Sequence, residues 1–189
     1  MTNQPISIVS SSAFQEYSCY GRPINSLISK DTLKLRIFGM YDDEKAQLKK
    51  DLNAAPGKIS LILDCWTSKN FFSFHGIIAS WISESWEYKE TLIGMDILNG
   101  NHSGKTLAES LFKVIKEFGI ADKILGVTTD NAANCDTMFK EFASECENIG
   151  VHFDTHLVTS YLIPNRMKQI LIQQLQNLVK KKQVIHTLE

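Results

Sequence analysis

The chain has 189 residues, of which 43% are hydrophobic and 10% aromatic, and its formal net charge is −1. This length and hydrophobic content fit one globular domain with a buried core, and they exclude an intrinsically disordered chain. A net charge near zero also excludes a surface that is basic all over, which is the usual signature of a strong nucleic-acid binder.

The distribution of charged and apolar residues narrows the class of protein further. Residues 164–189 carry five basic residues and one acidic residue, a net charge of +4, which leaves −5 for residues 1–163. No apolar run approaches the ~20 residues of a membrane span, and the N-terminus lacks the basic and apolar regions of a signal peptide. The four cysteines form no Cys-x-x-Cys pair and suit a reducing compartment. We therefore expect a nuclear or cytoplasmic protein that is neither secreted nor membrane-bound.

The first half of the chain predicts one helix followed by three strands. Residues 1–28, rich in Ser, Asn and Pro, are interpreted as a flexible N-terminal segment. A helix is predicted from Ser29 to Leu52, with one apolar face formed by Leu33, Ile37, Met40, Tyr41, Leu48 and Leu52. Apolar runs then predict strands over residues 59–65, 73–83 and 86–97, the last two antiparallel because their connection is short.

The second half alternates between helices and strands. Ser103 is predicted to cap a helix over Gly104–Phe118, and Gly119 to end it. A fourth strand is predicted over residues 123–129 and a fifth over residues 151–161. Between them the spacing predicts a helix over residues 131–147, with inward side chains at Cys135, Phe139, Phe142 and Cys146. Residues 164–189 are interpreted as a basic amphipathic C-terminal helix.

Two aspartates follow apolar runs of strand length. Asp64 comes after the run that starts at Ile59, and Asp130 comes after the run that starts at Ile124. If the two strands are neighbours, both carboxylates lie at one edge of the sheet and can share a divalent cation, because hard oxygen ligands suit magnesium or manganese. The alternative is local, since Asp also favours turns and helix N-caps, so Asp130 could simply cap the helix that follows it.

Several short motifs occur in one order and at one rough spacing between Thr32 and Phe142. They are Pro56-Gly57-Lys58-Ile59-Ser60-Leu61, Asp64-Cys65-Trp66-Thr67-Ser68, Ala79-Ser80-Trp81-Ile82, Glu84-Ser85-Trp86, His102-Ser103-Gly104 and Thr129-Asp130-Asn131-Ala132-Ala133-Asn134. With these pieces the stretch resembles the first half of the catalytic domain of hAT-type DNA transposases, the hobo–Activator family. The resemblance covers a little over half of the chain and fades after about Val151.

The resemblance implies a ribonuclease H-like α/β fold, in which a mixed five-stranded sheet is flanked by helices. It assigns this partial domain to residues 29–163 and makes the first and fourth strands neighbours. It also implies that Asp64 and Asp130 are metal ligands for magnesium or manganese and two of three catalytic carboxylates. The implied ancestral activity is metal-dependent cleavage and transfer of DNA strands.

The chain departs from the family pattern at several positions. The third catalytic acid of the family is a glutamate far downstream, and Glu141 and Glu145 stand too close to Asp130 to replace it. Cys19 is the only cysteine before the matched region, so we expect no BED-type zinc finger. Family members also carry a Cys-x-x-His motif near His156, but Phe153 occupies the cysteine position.

Two further groups of residues have a functional and a simpler interpretation. His152 and His156 flank Asp154 and share one face of the predicted strand; a solvated pair is the favoured interpretation and a metal site the alternative. The basic residues of the C-terminal helix either complement the negative end of that helix or contact nucleic-acid phosphates weakly. These residues are Arg166, Lys168, Lys180, Lys181 and Lys182.

The first hypothesis for function is a fragment derived from a DNA transposase and inactive as this chain. The second is a domesticated, non-catalytic module that binds nucleic acid or protein, and the third is an unrelated α/β domain. DNA is the expected ancestral partner, bound weakly here. Self-association, or association with a full-length transposase, is left open by the resemblance.

Overall fold

In a computed structural model, the described residues are 4–23, 27–67, 72–98, 103–129, 135–153 and, for the backbone alone, 158–160. The chain divides into two compact units, one comprising Met1–Leu48 with Gln173–Glu189 and the other Lys49–Ile172. No helix within these described ranges combines the length and apolar character needed to cross a bilayer. The predicted C-terminal helix lies outside the described residues.

The N-terminal region is more regular than the sequence predicted. A 3-10 helix spans Ile6–Ser10 and helix α1 spans Ser12–Ser18, where the Oγ of Ser11 accepts a hydrogen bond from the Phe14 N–H. Helix α2 then runs over Lys30–Ala54, close to the predicted bounds. Its predicted apolar face is only in part a buried face, since Leu52 is buried whereas Met40 and Tyr41 are 67% and 54% exposed. Helical spacing places residues on one face but does not supply a partner for that face.

One mixed sheet of five strands forms the centre of the second unit. The strand order is β3-β2-β1-β4-β5; the two pairs made by β2 are antiparallel, and β4 is parallel to both of its neighbours. This topology confirms the predicted α/β class and the predicted adjacency of the first and fourth strands. The strands are β1 (Ile59–Thr67), β2 (Ser73–Ile82), β3 (Tyr88–Leu98), β4 (Ile124–Thr129) and β5 (Val158–Ser160).

The turn between β2 and β3 is longer than predicted and exposes a tryptophan. The Ser83 N–H donates to the Glu87 carbonyl and the Trp86 N–H donates to the Ser83 carbonyl, so β3 begins at Tyr88 rather than at residue 86. Trp86 has a φ of 61° and is 85% exposed. Large aromatic residues are usually core residues, but a residue in this turn lies beyond the layers that bury Trp81.

Helices α3 (Gly104–Phe118) and α4 (Cys135–Asn148) pack against each other, with the rings of Phe112 and Phe142 6.4 Å apart. The bounds of α3 are as predicted, with the Thr106 N–H donating to the Ser103 Oγ and Gly119 in the left-handed conformation. The predicted inward residues of α4 are all buried. The predicted fifth strand is shorter than expected, because the described residues 151–153 are not part of it.

Hydrogen bonds tie together the elements at the end of the sheet where β1 and β4 begin. The Lys123 ammonium donates to the carbonyls of Asn53 and Ala55, and the Asn53 amide donates to the Phe118 carbonyl at 2.9 Å. The Lys58 ammonium donates to the Asp122 carbonyl at 2.7 Å. These bonds join the end of α2, the end of α3 and the start of β4. They hold β1 and β4 in place at the ends where the two strands begin.

Gly94 on β3 is required by the close approach of α3, which gives a first testable prediction. A methyl group at this position would lie 2.7 Å from one methyl carbon of Val114 and 3.3 Å from Ile77 Cδ1. We expect Gly94→Ala to lower the free energy of unfolding by about 1–3 kcal/mol, the usual cost of overpacking a core. Gly39→Ala is the control: among the described residues, a Cβ added at Gly39 meets no atom within 4 Å outside its own stretch of helix, and replacing a helical glycine gains up to ~1 kcal/mol. Equal effects in urea denaturation would contradict the packing.

Candidate metal site at the edge of the β1–β4 pair

Asp64 is a buried carboxylate within β1. Its exposed fraction is 9%, and its partner on β2 is Gly76, which has no side chain beyond its hydrogen. The sequence predicts Asp64 at the end of an apolar strand. β1 continues to Thr67, however, so Asp64 lies three residues before the end of the strand. The strand is held on this side by antiparallel pairing that runs without a break from Ser60 to Thr67.

On its other side β1 pairs in parallel with β4. The register places Leu63 opposite Thr129, so the residues that follow these two partners in the sequence are Asp64 and Asp130. Asp130 itself lies outside the described residues, and the distance between the two carboxylates stays a prediction. What the structure establishes is that the two runs leading to the aspartates are neighbouring, parallel and in register.

Asp64 and the helices α3 and α4 belong to opposite faces of the sheet. His75, the cross-strand partner of Cys65, lies 3.0 Å from the hydroxyl of Ser110 on α3. Because side chains alternate along a strand, Cys65 shares the α3 face and Asp64 points to the other. Glu141 and Glu145 are on α4, which packs against α3. Neither glutamate is therefore in a position to join Asp64.

A buried polar network occupies the α3 face one residue further along β1. The Ser110 hydroxyl donates to Asp96 Oδ2 at 2.9 Å, so its single hydrogen is used and the Nδ1 of His75 must be the donor to Ser110. The Asp96 carboxylate also contacts the Lys113 ammonium at 3.4 Å. The Nε2 of His75 is then an unprotonated nitrogen that is buried without a hydrogen-bond partner among the described residues.

Burial lowers the pKa of His75 from 6.5 to about 4, and the nearby Asp96 carboxylate opposes this shift only in part. His75 is 0% exposed, so the imidazole is neutral at physiological pH. Sequence reasoning missed this network. The available signal was a histidine within the apolar run Phe74-His75-Gly76-Ile77-Ile78, where a polar side chain requires a buried partner.

Of the remaining residues singled out in the sequence, His152 and Phe153 are described by the structure and the others are not. His152 is exposed, whereas Phe153 is buried and packs edge-on against Phe142 with ring centroids 4.9 Å apart. Within the part of the chain that is described, no three His, Cys, Asp or Glu side chains form a cluster that could hold a metal ion. The candidates outside the described residues are Asp130, His156, Arg166, Lys168, Lys180, Lys181 and Lys182.

An open groove of about 460 Å³ lies on the helical layer and is separate from Asp64. Both acidic and basic side chains line it, and all of them come from α3 and α4 on the opposite face of the sheet. The groove therefore takes no part in the candidate metal site. Its lining residues are Glu109, Phe112, Lys113, Lys116, Glu117 and Glu145.

The strand order, the parallel β1–β4 pair and the buried Asp64 define a ribonuclease-like α/β domain. The family model described as "ZBED1 RNase-like domain" matches residues 62–157, which is half of the chain. The chain belongs to this family of hAT-type transposase-derived regions.

Curated relatives resemble different shares of the chain. "Putative transcriptional regulator tpeD" of Talaromyces stipitatus is 38% identical over 110 residues, covering 58% of this chain and 13% of the relative. "Zinc finger BED domain-containing protein RICESLEEPER 1" of Oryza sativa is 21% identical over 83% of this chain and 22% of the relative. "Putative AC transposase" of Zea mays is 26% identical over 70% of this chain and 16% of the relative. The chain thus spans less than a quarter of the length of these relatives.

Proposed function

We propose that Asp64 and Asp130 together hold a magnesium or manganese ion and that this chain is part of a DNA strand-cleavage and strand-transfer site. The observation that carries the proposal is the position of the buried Asp64 carboxylate. Leu63, the residue before Asp64, is paired with Thr129, the residue before Asp130. The relatives named as transposase and BED zinc finger support DNA as the partner.

The donor chemistry of this edge fits a hard divalent cation. Carboxylate oxygens are the ligands that magnesium and manganese prefer, and β1 holds the Asp64 side chain on a strand that is paired on both sides. When bound, the cation supplies charge stabilisation for phosphodiester chemistry. Asp64 would bind and position the ion, and its burial limits the access of water to the carboxylate. Because the partner is DNA, we propose a nuclear location.

The proposal predicts metal-dependent stabilisation that requires both aspartates. Manganese at a hundredfold excess over its Kd should add about 2.7 kcal/mol to the free energy of unfolding and raise the Tm by roughly 5–10 °C. Asp64→Asn and Asp130→Asn should each abolish most of this rise. Asp122→Asn should keep it, because Asp122 is an exposed residue of the 3-10 helix Ala121–Lys123, which precedes the start of β4. A full rise in Asp64→Asn would remove Asp64 from the site.

We further propose that the isolated chain binds the cation without cutting DNA. Two carboxylates hold one cation, but the second cation of two-metal phosphodiester chemistry requires a further acidic ligand. Glu141 and Glu145 belong to the helical layer on the opposite face and do not supply it. Supercoiled plasmid incubated with manganese should therefore stay intact with the wild type and with an Asp64→Ala/Asp130→Ala variant alike. Nicking by the wild type alone would show that the chain is catalytically competent.

A second candidate function is a non-catalytic module that binds nucleic acid or protein. It is favoured by the 38% identity to a relative whose name describes a transcriptional regulator. Such a module would not need its metal ligands, so manganese would not change the Tm of the wild type. The module would then contact phosphates weakly through Arg166, Lys168, Lys180, Lys181 and Lys182. Its protein partner would be a second copy of itself or a full-length transposase.

A further inference from the structure

An aromatic pair lies on the same face of the sheet as Asp64. Trp66 is two residues further along β1, so its side chain projects in the same direction from a point roughly 6.6 Å away along the strand. Its cross-strand partner is Phe74, and the two rings are stacked with centroids 5.2 Å apart and planes 14° from parallel. Phe74 is 6% exposed whereas Trp66 is only half-buried, so part of the indole stays accessible.

The backbone beneath this pair is well held. β1 and β2 remain paired up to Thr67 opposite Ser73, and the hydroxyls of these two residues lie 3.4 Å apart. The β2 position directly opposite Asp64 is Gly76, so on this face no β2 side chain stands beside the Asp64 carboxylate next to the ring stack. The pairing between β1 and the described part of β4 ends at Leu63, before Trp66 is reached.

We propose that Trp66, supported by Phe74, is a stacking platform for an unpaired nucleobase of the DNA strand whose phosphate is held at Asp64. The inference rests on the proposed function, because the phosphate is placed by the cation. In a DNA strand, a base and its phosphate are joined through one sugar, so the base lies close to the phosphate. A flat, half-buried indole at that distance stacks on any base, since every base has a π-face. Phe74 fixes the indole plane before the strand arrives, so less side-chain freedom is lost on binding.

The test uses a short single-stranded oligonucleotide that contains one 2-aminopurine, with manganese present. The full chain should bind it and quench the 2-aminopurine fluorescence. Trp66→Leu should weaken binding about tenfold and remove most of the quenching, because stacking on one aromatic ring is lost. Trp66→Phe should show intermediate values. Trp86→Leu is the matched control: Trp86 is 85% exposed at the opposite end of β2 and should leave both values unchanged.

The outcomes separate this inference from the cation site. The manganese-dependent rise in Tm should persist in Trp66→Leu, because Asp64 is intact. Unchanged binding and quenching in Trp66→Leu, or no quenching by a wild type that shows the rise in Tm, would overturn the platform and leave the cation site. Trp66-dependent quenching without any rise in Tm would overturn the shared site. If Trp66→Leu does not fold, Trp66→Phe keeps a ring against Phe74, and wild-type quenching in that variant contradicts the platform.

Discussion

Phe142→Ala should lower the free energy of unfolding by about 3–5 kcal/mol, the usual cost of emptying a large aromatic site in a core. Phe142 is fully buried on α4, where its ring lies between Phe112 of α3 and Phe153. Both contacts are edge-on aromatic pairs, which contribute beyond the apolar area they bury. Because native domains are stable by only about 5–15 kcal/mol, this one substitution removes a large part of the total.

Urea denaturation of the wild type, Phe142→Ala and Phe72→Ala measures the effect. Phe72 is 54% exposed, so its truncation should cost less than about 1 kcal/mol, as for surface positions in general. Similar losses for the two variants would mean that the α3–α4 layer does not form the core described above.

The stability of the domain should fall on acidification because of His75. The folded pKa of about 4 lies below the unfolded value of 6.5, so the unfolded state binds the proton first as the pH falls. The contribution of the neutral imidazole is complete above pH 6.5, decreases between pH 6.5 and 4 and is absent below pH 4. At 1.36 kcal/mol per pKa unit the decrease is roughly 3 kcal/mol.

A comparison of His75→Gln with His152→Gln separates the contribution of His75 to the pH dependence of stability from that of the carboxylates, which titrate over the same pH range. Glutamine can still donate to Ser110 but does not titrate, so the dependence of unfolding free energy on pH should be roughly 3 kcal/mol shallower in His75→Gln. His152 is exposed, and its substitution should leave the wild-type profile unchanged. A His75→Gln profile that superimposes on the wild type would contradict the buried neutral histidine.

Local sequence signals predicted the elements whose ends are determined locally. The bounds of α3 follow from Ser103 as the capping residue and Gly119 in the left-handed conformation, and both features depend on a few neighbouring residues. The inward stripe of α4 follows from helical spacing for the same reason. The adjacency of β1 and β4, by contrast, is not determined by neighbouring residues. Element order alone did not determine it, and the expectation came from the family resemblance.

The features that sequence reasoning missed depend on the tertiary partner. The apolar spacing of α2 is real, but Met40 and Tyr41 are exposed because spacing carries no information on what covers a face. The size of Trp86 favours a core position, yet the turn places it outside the core. The His75–Ser110–Asp96 network joins three elements, and its pattern is visible only after β2, β3 and α3 have been brought together.

Electron paramagnetic resonance of manganese tests most directly whether Asp64 and Asp130 bind one cation between them. Free manganese gives a strong six-line signal that is lost on binding, so a titration counts the bound ions. We expect one bound manganese per chain in the wild type and in Asp122→Asn, and none at the same concentrations in Asp64→Asn or Asp130→Asn. Wild-type binding in either of the last two variants, or none in the wild type, would contradict the account.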